Sequence, residues 1–131
     1  MSTLENFPVH AKAAASDLGR ARAWFADKLG MTPKTEDPGG GLWFEFAEGT
    51  WLSVYQTASA GTAQNTIAGW TVTGIESVMG ELRGRGVVFA DYDFPGLKTV
   101  DGLATMGSAK AAWFTDSEGN TYELTEVGPT A

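Results

Sequence analysis

Gly119-Asn120-Thr121-Tyr122-Glu123-Leu124-Thr125-Glu126 is the stretch that decides the fold, because an earlier version of it stands at Gly49-Thr50-Trp51-Leu52-Ser53-Val54-Tyr55-Gln56. Each follows a glycine turn and alternates in the manner of a strand. The same parts precede each copy. Ser16-Asp17-Leu18 opens an amphipathic helical run that ends at Leu29-Gly30 and leads into Met31-Thr32-Pro33. Thr73-Gly74-Ile75 opens a second run that ends at Arg85-Gly86 and leads into Val87-Val88-Phe89. Two copies of one strand-helix-strands unit make a cavity between them, and the repeat tells which side chains would face it.

Working outward, Val9 to Ala15 reads as a strand covered by the first helix. Ser16 or Asp17 supplies the N-cap oxygen, and Leu18, Ala21, Phe25 and Leu29 form one apolar stripe. Gly30 ends that helix in a left-handed conformation. Asp37 to Gly41 is a turn, and Leu42 to Ala47 with Thr50 to Thr57 forms a hairpin around Glu48-Gly49. Residues 58–65 link the two units. The second unit runs from Ile67 to Thr73 through a helix with stripe Ile75, Val78, Met79 and Leu82. A strand at Val87 to Ala90 follows, and Ala109 to Thr115 with Asn120 to Val127 closes the unit. Asp91 to Gly102 has no counterpart in the first unit and reads either as a lid or binding loop or as a plain surface connection.

The chain of 131 residues carries 16 acidic against 9 basic side chains, a formal net charge of −7. With no Lys/Arg cluster, this balance argues against nucleic acid or an anionic membrane as partner and favours a small molecule. Absence of cysteine excludes disulfides and suits a reducing compartment. No basic leader with an apolar segment opens the sequence, and no apolar run approaches the ~18 residues of a membrane helix. A cytoplasmic protein folded as a single domain over residues 1–131 is the expectation. Gly39-Gly40-Gly41 precedes a strand and not a helix, so it is not a phosphate cradle. A single histidine makes a hydrolase triad an unsuitable reading.

The repeated unit, the Ser-Asp-Leu cap followed by Trp24-Phe25, and the closing Trp113-Phe114-Thr115-Asp116-Ser117-Glu118-Gly119-Asn120 together resemble the vicinal oxygen chelate superfamily. Glyoxalase I, extradiol dioxygenases and bleomycin-resistance proteins belong to it. The resemblance runs from about Val9 to Val127. It implies an α+β fold in which two βαβββ modules form a curved, open mixed β-barrel with helices outside. The modules would span about 8–57 and 66–127, the second with a loop insertion at 91–108. A homodimer is a further implication.

Enzymes of that superfamily hold a divalent metal with residues from the first and last strand of each module. The resemblance assigns those positions here to His10, Ser53, Ile67 and Glu123. Only His10 and Glu123 are suitable donors, and three or four are the usual minimum for a catalytic site. The two are therefore candidates for a metal site, for a metal-free acid–base pair, or for ordinary strand positions.

Strand alternation puts Trp51, Ser53 and Tyr55 on one face, equated by the repeat with Thr121, Glu123 and Thr125. His10, Lys12 and Ala14 join Ile67, Gly69 and Thr71 on the same side. Trp43 and Trp113 point there if Leu42, Phe44 and Phe114 belong to the helix-facing core. Tyr92, Asp93 and Lys98 would add polar contacts from the loop. Such a lining suits a planar aromatic ligand, although the same rings would also serve to fill a small barrel. The expected function is small-molecule binding in this cavity without a tight metal site. The alternative is a divalent-metal enzyme, lyase, isomerase or dioxygenase-like, using His10 and Glu123. Whether the protein turns over a substrate is left open by the sequence.

Overall fold

The computed structural model describes residues 3–128 and contains two open sheets with two helices packed on them. In the first unit, β1 (Ala11–Ala15) pairs in parallel with β4 (Trp51–Gln56). The sheet continues antiparallel through β3 (Leu42–Glu45) to β2 (Thr35–Glu36). The second unit repeats this plan. β5 (Thr66–Thr71) lies parallel to β10 (Thr121–Val127), which pairs antiparallel with β9 (Ala109–Thr115). This is the α+β architecture with mixed, unclosed sheets that the resemblance implies.

The first helix, α1 (Leu18–Trp24), starts where Asp17 Oδ1 accepts the Arg20 N–H at 3.0 Å. It widens into a π turn over Phe25–Leu29 and stops at Gly30, whose φ of 68° an L side chain adopts with difficulty. α2 (Ile75–Gly84) is capped differently: Gly74 offers no side chain, and the free Ile75 N–H donates instead to Glu126 Oε1 at 2.8 Å. A strand of the second sheet thus satisfies the amide that the helix's own start leaves open.

One apolar core joins both units. Phe25 stacks on Phe44 with ring centroids 4.2 Å apart, while neighbouring Trp24 lies 6.2 Å from Phe114. Ala13, Leu52 and Val54 from the first sheet and Ala112, Tyr122 and Leu124 from the second are buried in the same cluster. Each such fully buried large side chain contributes roughly 1.5–3 kcal/mol. Polar ties reinforce the joint, since Asn120 Nδ2 donates to the Ala14 carbonyl at 2.8 Å. Phe44 and Phe114 are buried in this core, while the adjacent Trp43 and Trp113 are only partly buried.

Two expectations are corrected. Val87 to Ala90 is not a strand; it contributes a single bridge from Phe89 to Phe114. Residues 91–108 are not a loop insertion. They hold β6 (Asp93–Phe94), β7 (Leu97–Val100) and β8 (Leu103–Met106), an antiparallel meander that extends the second sheet from β9. The strands are two to four residues long and separated by Pro95-Gly96 and Asp101-Gly102, so turn residues dominate the local signal. The Asp91 carboxylate fixes the meander, accepting from Thr99 Oγ1 at 2.6 Å and from the Gly102 N–H at 2.8 Å. No helix among the described residues is long and apolar enough to cross a membrane.

Candidate functional site

The face of the first sheet turned away from the core carries a ladder of rings. His10, Trp51 and Trp43 form a cluster of near-parallel rings, their centroids 4.3 Å apart for His10–Trp51, 5.5 Å for Trp51–Trp43 and 6.4 Å for His10–Trp43. Strand register causes this arrangement. Trp43 pairs with Ser53 across β3 and β4, Lys12 pairs with Ser53 across β1 and β4, and His10 immediately precedes β1 beside Trp51.

Polar groups border the ladder. Lys12 Nζ lies 3.4 Å from the hydroxyl of Ser53, which is buried. Asp37, which the sequence presents only as part of the turn before β3, reaches the same region. Its Oδ1 accepts the Gly39 and Gly41 N–H groups, each at 2.9 Å. The Gly41 amide foremost, then the Gly39 amide, the Trp43 indole N–H and the charge of Lys12, hold its carboxyl below the usual carboxylate range against the opposing effect of desolvation. The Asp-Pro-Gly-Gly-Gly sequence carries the signal, since an aspartate two residues before a glycine amide is a standard acceptor. Trp51 Nε1 is buried and has no hydrogen-bond partner, alone among the described buried side-chain nitrogens and oxygens.

Two hollows flank Trp51. One, of about 350 Å³, is lined by Trp43, Trp51, Lys34, Glu45 and Thr50. The other, of about 410 Å³, lies between the start of β1 and β5 and is lined by His10, Trp51, Ile67, Gly69 and Trp70. Both volumes fall at the small end of the range typical for ligand pockets.

The remaining sequence candidates lie elsewhere. Glu123 pairs across β10 and β9 with Trp113, and its Oε1 accepts from Thr125 Oγ1 at 2.6 Å. Tyr92 packs edge-on against Trp113 at 5.5 Å. Lys98 is exposed and pairs with Asp93 in the β6–β7 hairpin, and Tyr55 is 45% exposed. The contacts of Glu123, Tyr92 and Lys98 stay within the second sheet. His10 and Glu123 make neither an ion pair nor a hydrogen bond with one another.

The four positions that the resemblance assigns to metal ligands do not form a ligand set. Ile67 has no donor atom, and the Ser53 hydroxyl is engaged by Lys12. Among the described residues no group of three or more His, Cys, Asp or Glu side chains could hold a metal ion.

No protein-family model and no curated protein matches the sequence. Solved structures do match in fold. A glyoxalase/bleomycin resistance protein from Catenulispora acidiphila superposes with a TM-score of 0.71 at 20% identity, covering 93% of this chain and 99% of the other. TnmS3, an antibiotic binding protein from a Streptomyces species, gives 0.65 at 16% identity over 94% and 98% of the two chains. A mutant of the fosfomycin resistance protein FosX from Listeria monocytogenes, in complex with Mn(II) and a dihydroxypropylphosphonic acid, gives 0.61 at 15% identity over 91% and 88%.

Proposed function

We propose that this chain, which has the fold of the vicinal oxygen chelate proteins, binds a small planar aromatic molecule against the first sheet and does so without a tight metal site. The observation that carries this reading is the cluster of near-parallel rings of His10, Trp51 and Trp43, with centroids 4.3, 5.5 and 6.4 Å apart, on the face opposite the core. Rings that merely fill a core interlock from several sides, whereas this ladder stands beside two hollows. A flat ligand extends such a stack with its faces covered, gaining roughly 25 cal/mol per Å² of apolar surface removed from water. Asp37 and Lys12, which border these rings, supply the polar contacts that set orientation.

The likeness in fold to an antibiotic binding protein supports binding as the activity class. It does not supply the ligand. The competing reading, a divalent-metal enzyme using His10 and Glu123, rests on the fold alone and lacks the remaining donors. Homodimerisation and a cytoplasmic setting complete the proposal.

Two titrations test it. A panel of planar polycyclic aromatics is expected to quench tryptophan emission, with the quench lost in Trp51→Ala and Trp43→Ala. Calorimetry of metal-stripped protein with Zn²⁺, Mn²⁺, Fe²⁺ and Ni²⁺ is expected to show no binding. Submicromolar metal binding abolished by both His10→Ala and Glu123→Ala would replace this reading with the enzymatic one.

A further inference from the structure

The turn between β7 and β8 carries the only Asp-Gly pair of the chain, Asp101-Gly102. Val100 pairs with Leu103, so these two residues are the whole turn, and both adopt positive φ, 51° and 80°. Asp-Gly is among the preferred sequences for so tight a hairpin. It is also a chemically labile dipeptide, because a glycine without Cβ lets its backbone nitrogen approach the preceding carboxyl with little hindrance. The fold nevertheless demands the glycine. A Cβ on Gly102 would stand 2.7 Å from the Cβ of Phe89 and 3.1 Å from Arg83 Nη2, and L side chains rarely adopt its φ. The Asp101 carboxylate is exposed and forms no ion pair among the described residues, so no charge partner holds it away from the Gly102 nitrogen.

The peptide group between the two residues is held instead. Asp91 Oδ1 accepts the Gly102 N–H at 2.8 Å, and Arg83 Nη2 donates to the Asp101 carbonyl. Both polar atoms of one peptide bond are thus gripped by side chains of opposite charge, Asp91 just before β6 and Arg83 on α2. Each grip is itself anchored. Asp91 Oδ1 also accepts from Thr99 Oγ1 at 2.6 Å, and the Arg83 guanidinium lies over the Phe89 ring, 5.3 Å from its centroid.

We propose that Asp101 is a site of isoaspartate formation and that Asp91 and Arg83 clamp it shut. In the reaction the Gly102 nitrogen gives up its proton and bonds to Cγ of the protonated Asp101 carboxyl, a Cγ–O bond breaks, and the oxygen leaves with two protons as water, closing a succinimide. Water then opens the ring at either carbonyl. Addition at Cγ restores Asp101; addition at the backbone carbonyl leaves the chain running through Cγ, an isoaspartate with a free α-carboxylate. Nothing is oxidised or reduced, and the water lost is regained. Attack requires the peptide plane to turn until its nitrogen faces Cγ, which breaks both clamping hydrogen bonds. The reaction therefore proceeds from a locally opened turn, and its rate reports that opening.

The test is peptide mapping of isoaspartate at Asp101 in protein incubated for weeks at neutral pH. Asp91→Ala and Arg83→Met are each expected to accumulate it about tenfold faster than the parent, since each removes a charge-assisted hydrogen bond that must otherwise be broken first. Thr99→Val, which slackens the meander but keeps both clamping bonds, should stay near the parent rate, and in denaturing urea all four chains should react alike. Clamp variants no faster than the parent in the folded state, or Thr99→Val as fast as they are, would overturn the clamp. Absence of isoaspartate at Asp101 even in urea would overturn the site. Should a clamp variant fail to fold by far-UV circular dichroism, the parent alone decides. Deuterium exchange of its Gly102 amide and isoaspartate formation are expected to rise together as urea is added, and isoaspartate forming while that amide stays protected would overturn the clamp.

Discussion

Arg20 holds Glu118 in a two-pronged grip, Nε to Oε2 at 2.6 Å and Nη2 to Oε1 at 2.9 Å, across 98 residues of sequence. The same Oε1 accepts the Ser16 and Asp17 N–H groups at 3.0 and 3.1 Å, so a carboxylate from the β9–β10 turn caps the first helix of the other unit. The Glu118 side chain is fully buried, whereas that of Arg20 is half exposed. With the Asn120–Ala14 hydrogen bond and the shared apolar core, this contact ties the two halves of the repeat together.

Acid should therefore loosen the protein at a defined place. The Arg20 hydrogen bonds, helped by the Ser117 hydroxyl and the Asp17 amide, hold the Glu118 carboxyl down at about 2 from 4.5, against desolvation. A depressed folded-state value means the stabilisation is complete above about pH 4.5 and is lost as the pH falls towards about 2. Its magnitude is on the order of 2–3 kcal/mol, reduced by solvent screening of the half-exposed Arg20. Glu118→Gln is expected to lose about that amount at pH 7 and to show a flatter stability profile between those two pH values. Urea midpoints of parent and variant that stay parallel through the acid range would refute the assignment.

Tyr122 is fully buried and donates to Asp116 Oδ2 at 2.7 Å, while Asn120 Nδ2 donates to the same oxygen at 2.9 Å. Tyr122→Phe should cost about 1 kcal/mol, the low end for a buried hydrogen bond, because the carboxylate keeps its second donor. Asn120→Ala should cost more, since it also leaves the Ala14 carbonyl without its partner. Thermal unfolding of both variants ranks them.

At Trp51 the expected outcome runs against the usual rule for core aromatics. Trp51→Phe keeps a ring against His10 and Trp43 and removes an indole N–H that is buried without a partner, a liability of about 1–3 kcal/mol. The variant should be at least as stable as the parent in urea. A clear drop in its midpoint would mean that the indole's shape, and not its hydrogen bonding, decides the packing.

Gly41 keeps room for Asp37: a Cβ there would stand 2.5 Å from Asp37 Oδ2 and 3.2 Å from the Val54 carbonyl. Gly41→Ala should push the carboxylate away from the Trp43 ladder. With the proposed aromatic ligand, affinity should fall about tenfold, or about 1.4 kcal/mol. Asp37→Ala should fall by a similar amount, and the double variant should add little to either. Additive losses, measured by fluorescence titration, would show that the two residues act separately.

Much of the fold was legible because the repeat supplies every local instruction twice. Asp17 caps α1, Gly30 ends its continuation, and Leu52, Val54, Tyr122 and Leu124 face the core as their alternation demands. The β6–β8 meander was not legible, because strands of two to four residues carry too few alternating positions to outweigh the glycines and proline around them. The π turn at Phe25–Leu29 left no signal in a stripe that fits an ordinary helix equally well.

For the site, sequence alone determined which side chains share a face, since the two-residue period of a strand fixes that locally: His10, Lys12, Trp51 and Ser53 fall together, and Ile67 stands where a ligand donor is absent. Tertiary structure decided which of those faces meet. It clustered His10, Trp51 and Trp43, brought Asp37 to them from a turn, and kept Glu123 with Trp113 and Thr125 on the second sheet. The reason is physical: alternation is set by adjacent backbone geometry, whereas the approach of two sheets depends on how Phe25, Trp24, Phe44 and Phe114 fill one shared core.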